Sequence, residues 1–159
     1  AVLELQAFYA DDLVLALYDH RPVTPGHCLV IPRRHVPRFH ELSDPEADQI
    51  CRVLKKVHLA VSDVFGTDPY LLLEKNGWEA GQSVFHVHFH YIPRKTGEGS
   101  WCKLLLSSVW THIGKPMGPA KTKEVIDQLK EAMDSRLTDR GGEELFELDQ
   151  VFDEVADSL

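Results

Sequence analysis

Several things are scarce in this chain of 159 residues, and each scarcity excludes something. No apolar run approaches the roughly 18 residues that a membrane-spanning helix needs. Positive charge is short: 17 Lys and Arg face 25 Asp and Glu, for a formal net charge of -8. That balance argues against a protein that coats nucleic acid through its overall field. There are three cysteines, Cys28, Cys51 and Cys102, an odd number at wide spacing. No Cys-x-x-Cys pair exists for zinc or redox work, so three reduced thiols in a cytoplasmic protein are expected. No internal repeat or low-complexity tract stands out. No charged segment followed by an apolar one opens the chain, so no secretion signal is read. The first residue is Ala1 rather than Met, which fits removal of upstream residues.

What remains suits one soluble globular domain: 43% of the residues are hydrophobic and 26% charged. A chain of this length buries a sizeable core without staples. Strands are predicted over 5–9 and 13–18 around a turn at Asp11–Asp12. Pro22, Pro25 and Gly26 then break the chain, and Cys28 to Pro32 reads as a buried strand. Ser43 followed by Glu46 is a capping box, with Pro45 tolerated in the first turn. Ile50, Val53, Leu54, Val57, Val61 and Val64 follow at helical spacing, and Gly66 is a stop; a helix over about 44–65 is predicted. Tyr70 to Glu74 reads as a strand and residues 76–81 as a polar loop. Residues 96–119 read as an irregular segment anchored by Trp101 and Trp110. Thr122 is expected to cap a helix over about 122–137. Beyond Gly141–Gly142, acidic and apolar residues interleave as in an amphipathic helix over about 143–157.

The most informative stretch is Ser83 to Ile92, in which His86, His88 and His90 alternate with Phe85, Val87, Phe89 and Tyr91. Side chains alternate faces along a strand, so a strand over 83–92 puts three imidazoles on one face and an apolar set on the other. Three chemistries suit such a row. Imidazole binds metal, but the Cα atoms of His86 and His90 would lie roughly 13 Å apart in a strand. Two neighbours could share an ion, with a third ligand from His27 or His35. Three purely structural rings would each need partners for two nitrogens. Neutral imidazole is also a nucleophile that attacks phosphorus, provided that a partner holds its other N–H.

The run from Asn76 Gly77 Trp78 Glu79 Ala80 Gly81 Gln82 Ser83 into the histidines resembles the histidine-triad (HIT) signature. Pro93 Arg94 Lys95 after it is similar to the fragile-histidine-triad branch, the dinucleoside polyphosphate hydrolases. Arg21 to Pro32 and Arg38 to Leu42 fit the same family, so the resemblance covers roughly residues 8–95. It implies an α+β fold: an antiparallel sheet with one main helix and C-terminal helices, the sheet extended across a homodimer. It implies a catalytic, nucleotide-binding unit over 1–95, with 96–159 an extension packed on it.

The activity implied is cleavage of an α-phosphate bond of an adenine-type nucleotide conjugate, releasing a nucleoside monophosphate. His88 would be the nucleophile, with His90 orienting it near the phosphates and His86 and His27 completing the cluster. Gln82 and Ser83 would meet the phosphate or leaving group, and Asn76, which opens the same loop, would join them in binding the nucleotide or phosphate. Asp19 would hold the ribose hydroxyls, and Leu17 and Leu29 would flank the base.

Each assignment has a plainer counterpart. Asp19 also suits a turn residue before Pro22, and Gln82 and Ser83 suit loop shaping. Arg94 and Lys95 suit steering of a polyanion or simple solvation. His35, His40, His58 and His112 lack the triad spacing and read as surface or packing residues. Lys75 stands where the branch tends to have an uncharged polar residue, which leaves the substrate open. Trp101 or Trp110 would tune specificity. No structural zinc and no tightly bound cofactor are expected, although a divalent cation accompanying a polyphosphate is compatible with the reading. The partner expected is a small nucleotide, with no nucleic acid and no membrane. Two rivals stand beside this: a metal-dependent hydrolase using triad histidines, and a nucleotide-binding module without catalysis.

Overall fold

Five strands form one antiparallel sheet in the order β1-β2-β3-β5-β4. They are β1 (Ala7–Ala10), β2 (Val14–Tyr18), β3 (Cys28–Pro32), β4 (Tyr70–Leu73) and β5 (Phe89–Pro93). Two helices accompany them, α1 (Asp44–Phe65) and α2 (Pro119–Thr138). The computed structural model describes residues 6–95 and 117–138. The expected helix over 143–157, most of the segment 96–119, Cys102, Trp101, Trp110 and His112 fall outside them. No helix among the described residues is long and apolar enough to cross a membrane.

The predicted capping box forms. Ser43 Oγ accepts from the Glu46 N–H, and Glu46 Oε2 accepts from the Ser43 N–H at 2.8 Å. Gly66 closes α1 at φ 63° and ψ 39°, the left-handed conformation that glycine adopts without steric cost. Ile50, Val53, Leu54, Val57, Ala60 and Val61 are buried along one face of α1. A valine forfeits at most about 0.7 kcal/mol of helix propensity, whereas burying it gains about 1.5 kcal/mol or more. The buried stripe therefore decides the structure.

This face meets Val14, Ala16, Tyr18, Cys28, Val30 and Tyr91 of the sheet in one core, which α2 joins through Val125, Ile126, Leu129 and Met133. A bulge between Ala7 and Tyr9 shifts the register, so that Phe8 and Tyr9 both enter that core despite being neighbours. On the opposite face of the sheet, Ala7, Leu15, Leu17 and Ile31 form a second buried cluster.

The strands expected over 5–9 and 13–18 run over Ala7–Ala10 and Val14–Tyr18, and three further boundaries differ. The helix expected to start at Thr122 starts at Pro119, whose missing N–H costs nothing in a first turn. Glu74 lies beyond the end of β4. The third difference bears on function. A strand predicted over 83–92 is a strand only over Phe89–Pro93, and residues 84–86 form a bend. The ladders explain why. Pairing of β3 with β5 stops at Val30↔Phe89, and pairing of β4 with β5 stops at Leu73↔His90. Among the described residues, no strand runs beside 84–88. The end of β3 and the chain after it take them instead: Val87 N–H donates to Val36 O at 2.7 Å, and His86 Nε2 donates to Pro32 O at 2.9 Å.

Candidate active site

One row of residues crosses the sheet on the face away from α1. Directly opposed pairs share a face, so Ala7↔Leu17, Leu17↔Leu29, Leu29↔His90 and His90↔Leu73 make a continuous line. His90 thus stands at the end of an apolar ledge formed by Leu17 and Leu29. His88 follows at a ring-centroid distance of 4.9 Å in an edge-on arrangement. His27 lies on the other side of His90, with its Nε2 3.0 Å from His90 Nδ1.

The Pro25–Gly26 turn sets His27. Gly26 has φ 92°, and a Cβ there would come within 2.9 Å of Pro93 and 3.0 Å of Val61. Only glycine lets the turn pack this closely against β5 and α1, which explains its place just before His27.

Backbone groups decide where the ring protons sit. His88 Nδ1 is 2.7 Å from the His86 carbonyl oxygen, which can only accept. Nδ1 therefore carries the hydrogen, and His88 Nε2 keeps a bare lone pair. At His27 the order is reversed. The Val23 N–H donates to His27 Nδ1 at 3.2 Å, so the ring hydrogen is on Nε2 and points at His90 Nδ1. That in turn puts the His90 hydrogen on Nε2. Asp19 Oδ2 lies 3.5 Å from His27 Nδ1 and pulls the other way, favouring a proton there. The nearer Val23 donor prevails, and burial outweighs the carboxylate in holding the His27 pKa below its ordinary value. His90 is held down to about 3, by burial first and then by His27, His88 and Lys75. It is a neutral N–H donor at any ordinary pH.

His86 takes part through its main chain rather than its ring. The ring is 3% exposed, bonds to Pro32 O, and sits with Nδ1 3.3 Å from His35 Nδ1. Burial, and the neighbouring His35 and His88, lower its pKa against the raising effect of the Pro32 bond. The three imidazoles therefore do not form one open face: His88 and His90 are ring neighbours, and His86 is turned into the loop after β3.

Asp19 is buried, its Oδ1 accepting from the Arg21 N–H at 2.8 Å as a turn residue does. Gln82, assigned by the resemblance to the phosphate, is 1% exposed, and its amide joins two loops. Its Oε1 accepts from Gly77 N–H at 2.7 Å and its Nε2 donates to Pro37 O at 2.6 Å. Here it shapes the loop that carries the exposed Ser83. Asn76 is exposed and ties the same loop to the preceding one, accepting from the Phe39 N–H at 2.9 Å.

His35, read as a surface or packing residue and, under the metal reading, as a possible third ligand, is the ring neighbour of His86. The two backbone carbonyls at His86 and Pro32 were invisible in the sequence, because a carbonyl leaves no mark on residue identity. Among the described residues, Asp19, His27 and His90 are close enough to share a cation, with ligand atoms within 4.8 Å of one another. His27 already uses both of its nitrogens toward Val23 and His90, so a cation there would have to break one of those bonds.

A His88 ring with a fixed tautomer thus stands beside a neutral donor and an apolar ledge. The chain belongs to the HIT family: residues 2–97 match the HIT domain. It is 38% identical over 109 residues to the asymmetrical bis(5'-nucleosyl)-tetraphosphatase of Schizosaccharomyces pombe, covering 69% of this chain and 60% of that enzyme. It is 44% identical over 86 residues to the adenosine 5'-monophosphoramidase hnt1 of the same yeast, covering 54% of this chain and 62% of that enzyme. The chain thus spans about three fifths of the length of either relative. Among solved structures, a hypothetical histidine triad nucleotide-binding protein from Sulfolobus tokodaii superposes with a TM-score of 0.69 at 26% identity, over 87% of this chain and 91% of that one.

Proposed function

We propose that the chain is a nucleotide hydrolase or transferase that cleaves an α-phosphate bond of an adenine-type nucleotide conjugate through a nucleotidyl-His88 intermediate. The observation that carries this is the bond from His88 Nδ1–H to the His86 carbonyl, which leaves Nε2 as a bare nucleophile. Nε2 attacks the α-phosphorus, and the bond from phosphorus to the leaving group breaks with its electron pair. Water then attacks the same phosphorus, the phosphorus–nitrogen bond breaks, and its pair returns to Nε2. The products are the nucleoside monophosphate and the leaving group, which together hold the atoms of one added water. His90 Nε2–H donates to a phosphoryl oxygen and, being neutral, does so without titrating. Leu17 and Leu29 offer the base an apolar ledge. Asp19 takes the ribose, because a carboxylate accepts from two hydroxyls.

The relatives named for a tetraphosphate and for a phosphoramidate both act on bonds of this kind, which supports the reaction class. The test is chemical quench of wild type with nucleotide labelled at the α-phosphate. A labelled protein adduct, stable to alkali and mapped to His88, is expected. His88→Ala should lose the adduct and at least about a thousandfold in kcat while still binding nucleotide. Full turnover in that variant ends the nucleophile assignment.

A second reading has one observation behind it, the proximity of Asp19, His27 and His90. If these hold a catalytic metal, purified protein contains it stoichiometrically and chelation abolishes turnover.

We also propose that two copies pair through β4. It is an edge strand, with Tyr70 49% and Leu72 44% exposed beside Leu59 at 38%. Light scattering should give a dimer mass for wild type and a monomer mass for Leu72→Lys.

A further inference from the structure

Lys75 stands at the mouth of the site without an anion to hold. It is half-buried, and among the described residues it has neither an ion pair nor a hydrogen bond. The sequence carries 25 carboxylates, yet none of the described ones pairs with it. Such a charge suits an anion that arrives with the substrate.

Its position fits that role. Leu73 is paired with His90 across the β4–β5 ladder, and Lys75 lies two residues further on, just past the end of β4. The side chain lies along Gly81: a Cβ built on that glycine would be 3.8 Å from Lys75 Cδ and 3.9 Å from Nζ. Gly81 opens the Gly81–Gln82–Ser83 turn that leads into the histidines. The charge is also near enough to His90 to help keep that ring neutral.

We propose that Lys75 is the cation that receives the phosphate beyond the one under attack, so that conjugates with a polyphosphate leaving group are preferred over conjugates with a neutral one. The proposal rests on the hydrolase reading above for its account of the reaction, but its binding arm does not.

The decisive variant is Lys75→Gln, with Lys75→Arg as the charge-retaining control. For each protein, kcat/KM is measured on a diadenosine polyphosphate and on adenosine 5'-phosphoramidate, whose leaving group carries no phosphate. The ratio of the two should fall about tenfold or more in Lys75→Gln, as for loss of one charge-assisted contact, and stay within about threefold in Lys75→Arg. The preference of wild type for the polyphosphate should also weaken with added salt, and that of Lys75→Gln should weaken less. A ratio unchanged in Lys75→Gln overturns the proposal, as does an equal loss on both substrates. Calorimetry with ATP and AMP supplies the second arm. ATP should bind about tenfold more weakly to Lys75→Gln relative to AMP, and equal losses overturn the proposal. If wild type turns over neither substrate, the hydrolase reading fails. The calorimetric difference then decides the Lys75 assignment alone.

Discussion

The two halves of the histidine segment are built by different means. Residues 89–93 are a ladder strand between β3 and β4, and the ring of His90 is oriented by another side chain, His27. Residues 84–88 belong to no ladder. They dock on the loop after β3, and the ring of His88 is oriented by a main-chain carbonyl. The difference teaches where substitution can reach. A tautomer held by a side chain is lost with that side chain, whereas one held by a carbonyl survives any replacement that keeps the backbone in place. His88, the proposed nucleophile, has the substitution-proof lock, and His90 does not.

The largest effect among the neighbours of His88 belongs to the ladder half. His90→Leu keeps a residue of similar bulk and removes the neutral N–H donor. Its kcat should fall by about a hundredfold to a thousandfold in protein that is still folded at pH 7, although less stable by about 1–3 kcal/mol because the buried His27 Nε2–H loses its acceptor. Retention of more than a tenth of the rate would mean that His90 does not touch the reacting phosphate. Next comes His27→Leu. His27 is fully buried, so this variant removes the side-chain lock and leaves His90 free to take either tautomer. A loss of about tenfold to a hundredfold in kcat with KM nearly constant is expected, since misorientation of a catalytic group costs on that scale. A change in KM alone would show that His27 serves binding rather than orientation.

Acid separates the halves in a different way. Glu46 is 4% exposed and paired with Arg34, which belongs to the loop on which His86 and Val87 dock. The Arg34 hydrogen bonds, with help from Ser43, hold its pKa down to about 2 against the raising effect of burial. A carboxylate depressed in the folded state adds stability above its unfolded pKa of 4.5, and that stability is lost as pH falls through about 2. His90 is a base depressed from 6.5 to about 3, so the unfolded chain binds its proton first. Its contribution drains away as pH falls from 6.5 toward 3. Wild type should therefore lose stability in two overlapping windows. Glu46→Gln should flatten only the lower one, where about 2 kcal/mol is at stake for a charged hydrogen-bonded pair. His90→Leu should shrink the upper one, which the likewise depressed His27 and His86 share. Urea midpoints at pH 7, 5, 4 and 3 for the three proteins test this, and an acid profile of Glu46→Gln identical to wild type would remove the pair from the account.

Local chemistry made most of the fold legible in the sequence. Ser43, Glu46 and Gly66 bracket α1 because caps are properties of neighbouring residues. The nearly unbroken apolar run over 13–18 marked a strand, and the strand found there, Val14–Tyr18, is buried on both faces. The histidine strand was overextended for a corresponding reason. Alternation over 83–92 satisfies the strand period, but whether a strand forms depends on partners, and β3 and β4 end before they reach His88. The candidate site was legible in its residue types and not in its wiring. His27, His88 and His90 could be picked out by motif, whereas the Val23 N–H and the carbonyls of Pro32 and His86, which set the tautomers, have no signature. Gln82 shows the same limit: a polar residue in a phosphate-like loop gives no sign that its amide is spent on Gly77 and Pro37.

The smallest effect is expected at His35, and it is the sharpest test of the comparison. His35 is to His86 what His27 is to His90, a ring nitrogen within 3.3 Å of its neighbour's ring in one case and 3.0 Å in the other. If rings were what mattered in both halves, His35→Leu and His27→Leu would cost alike. The lock on His88, however, is the His86 carbonyl, and Val87 N–H and His86 Nε2 still anchor that stretch to Val36 and Pro32 when His35 is gone. His35→Leu should therefore keep kcat within about threefold, well short of the loss a misoriented catalytic group brings. Measured beside His27→Leu under the same conditions, a matching loss would show that His86 works through its ring after all, and that both halves of the segment are relays of side chains.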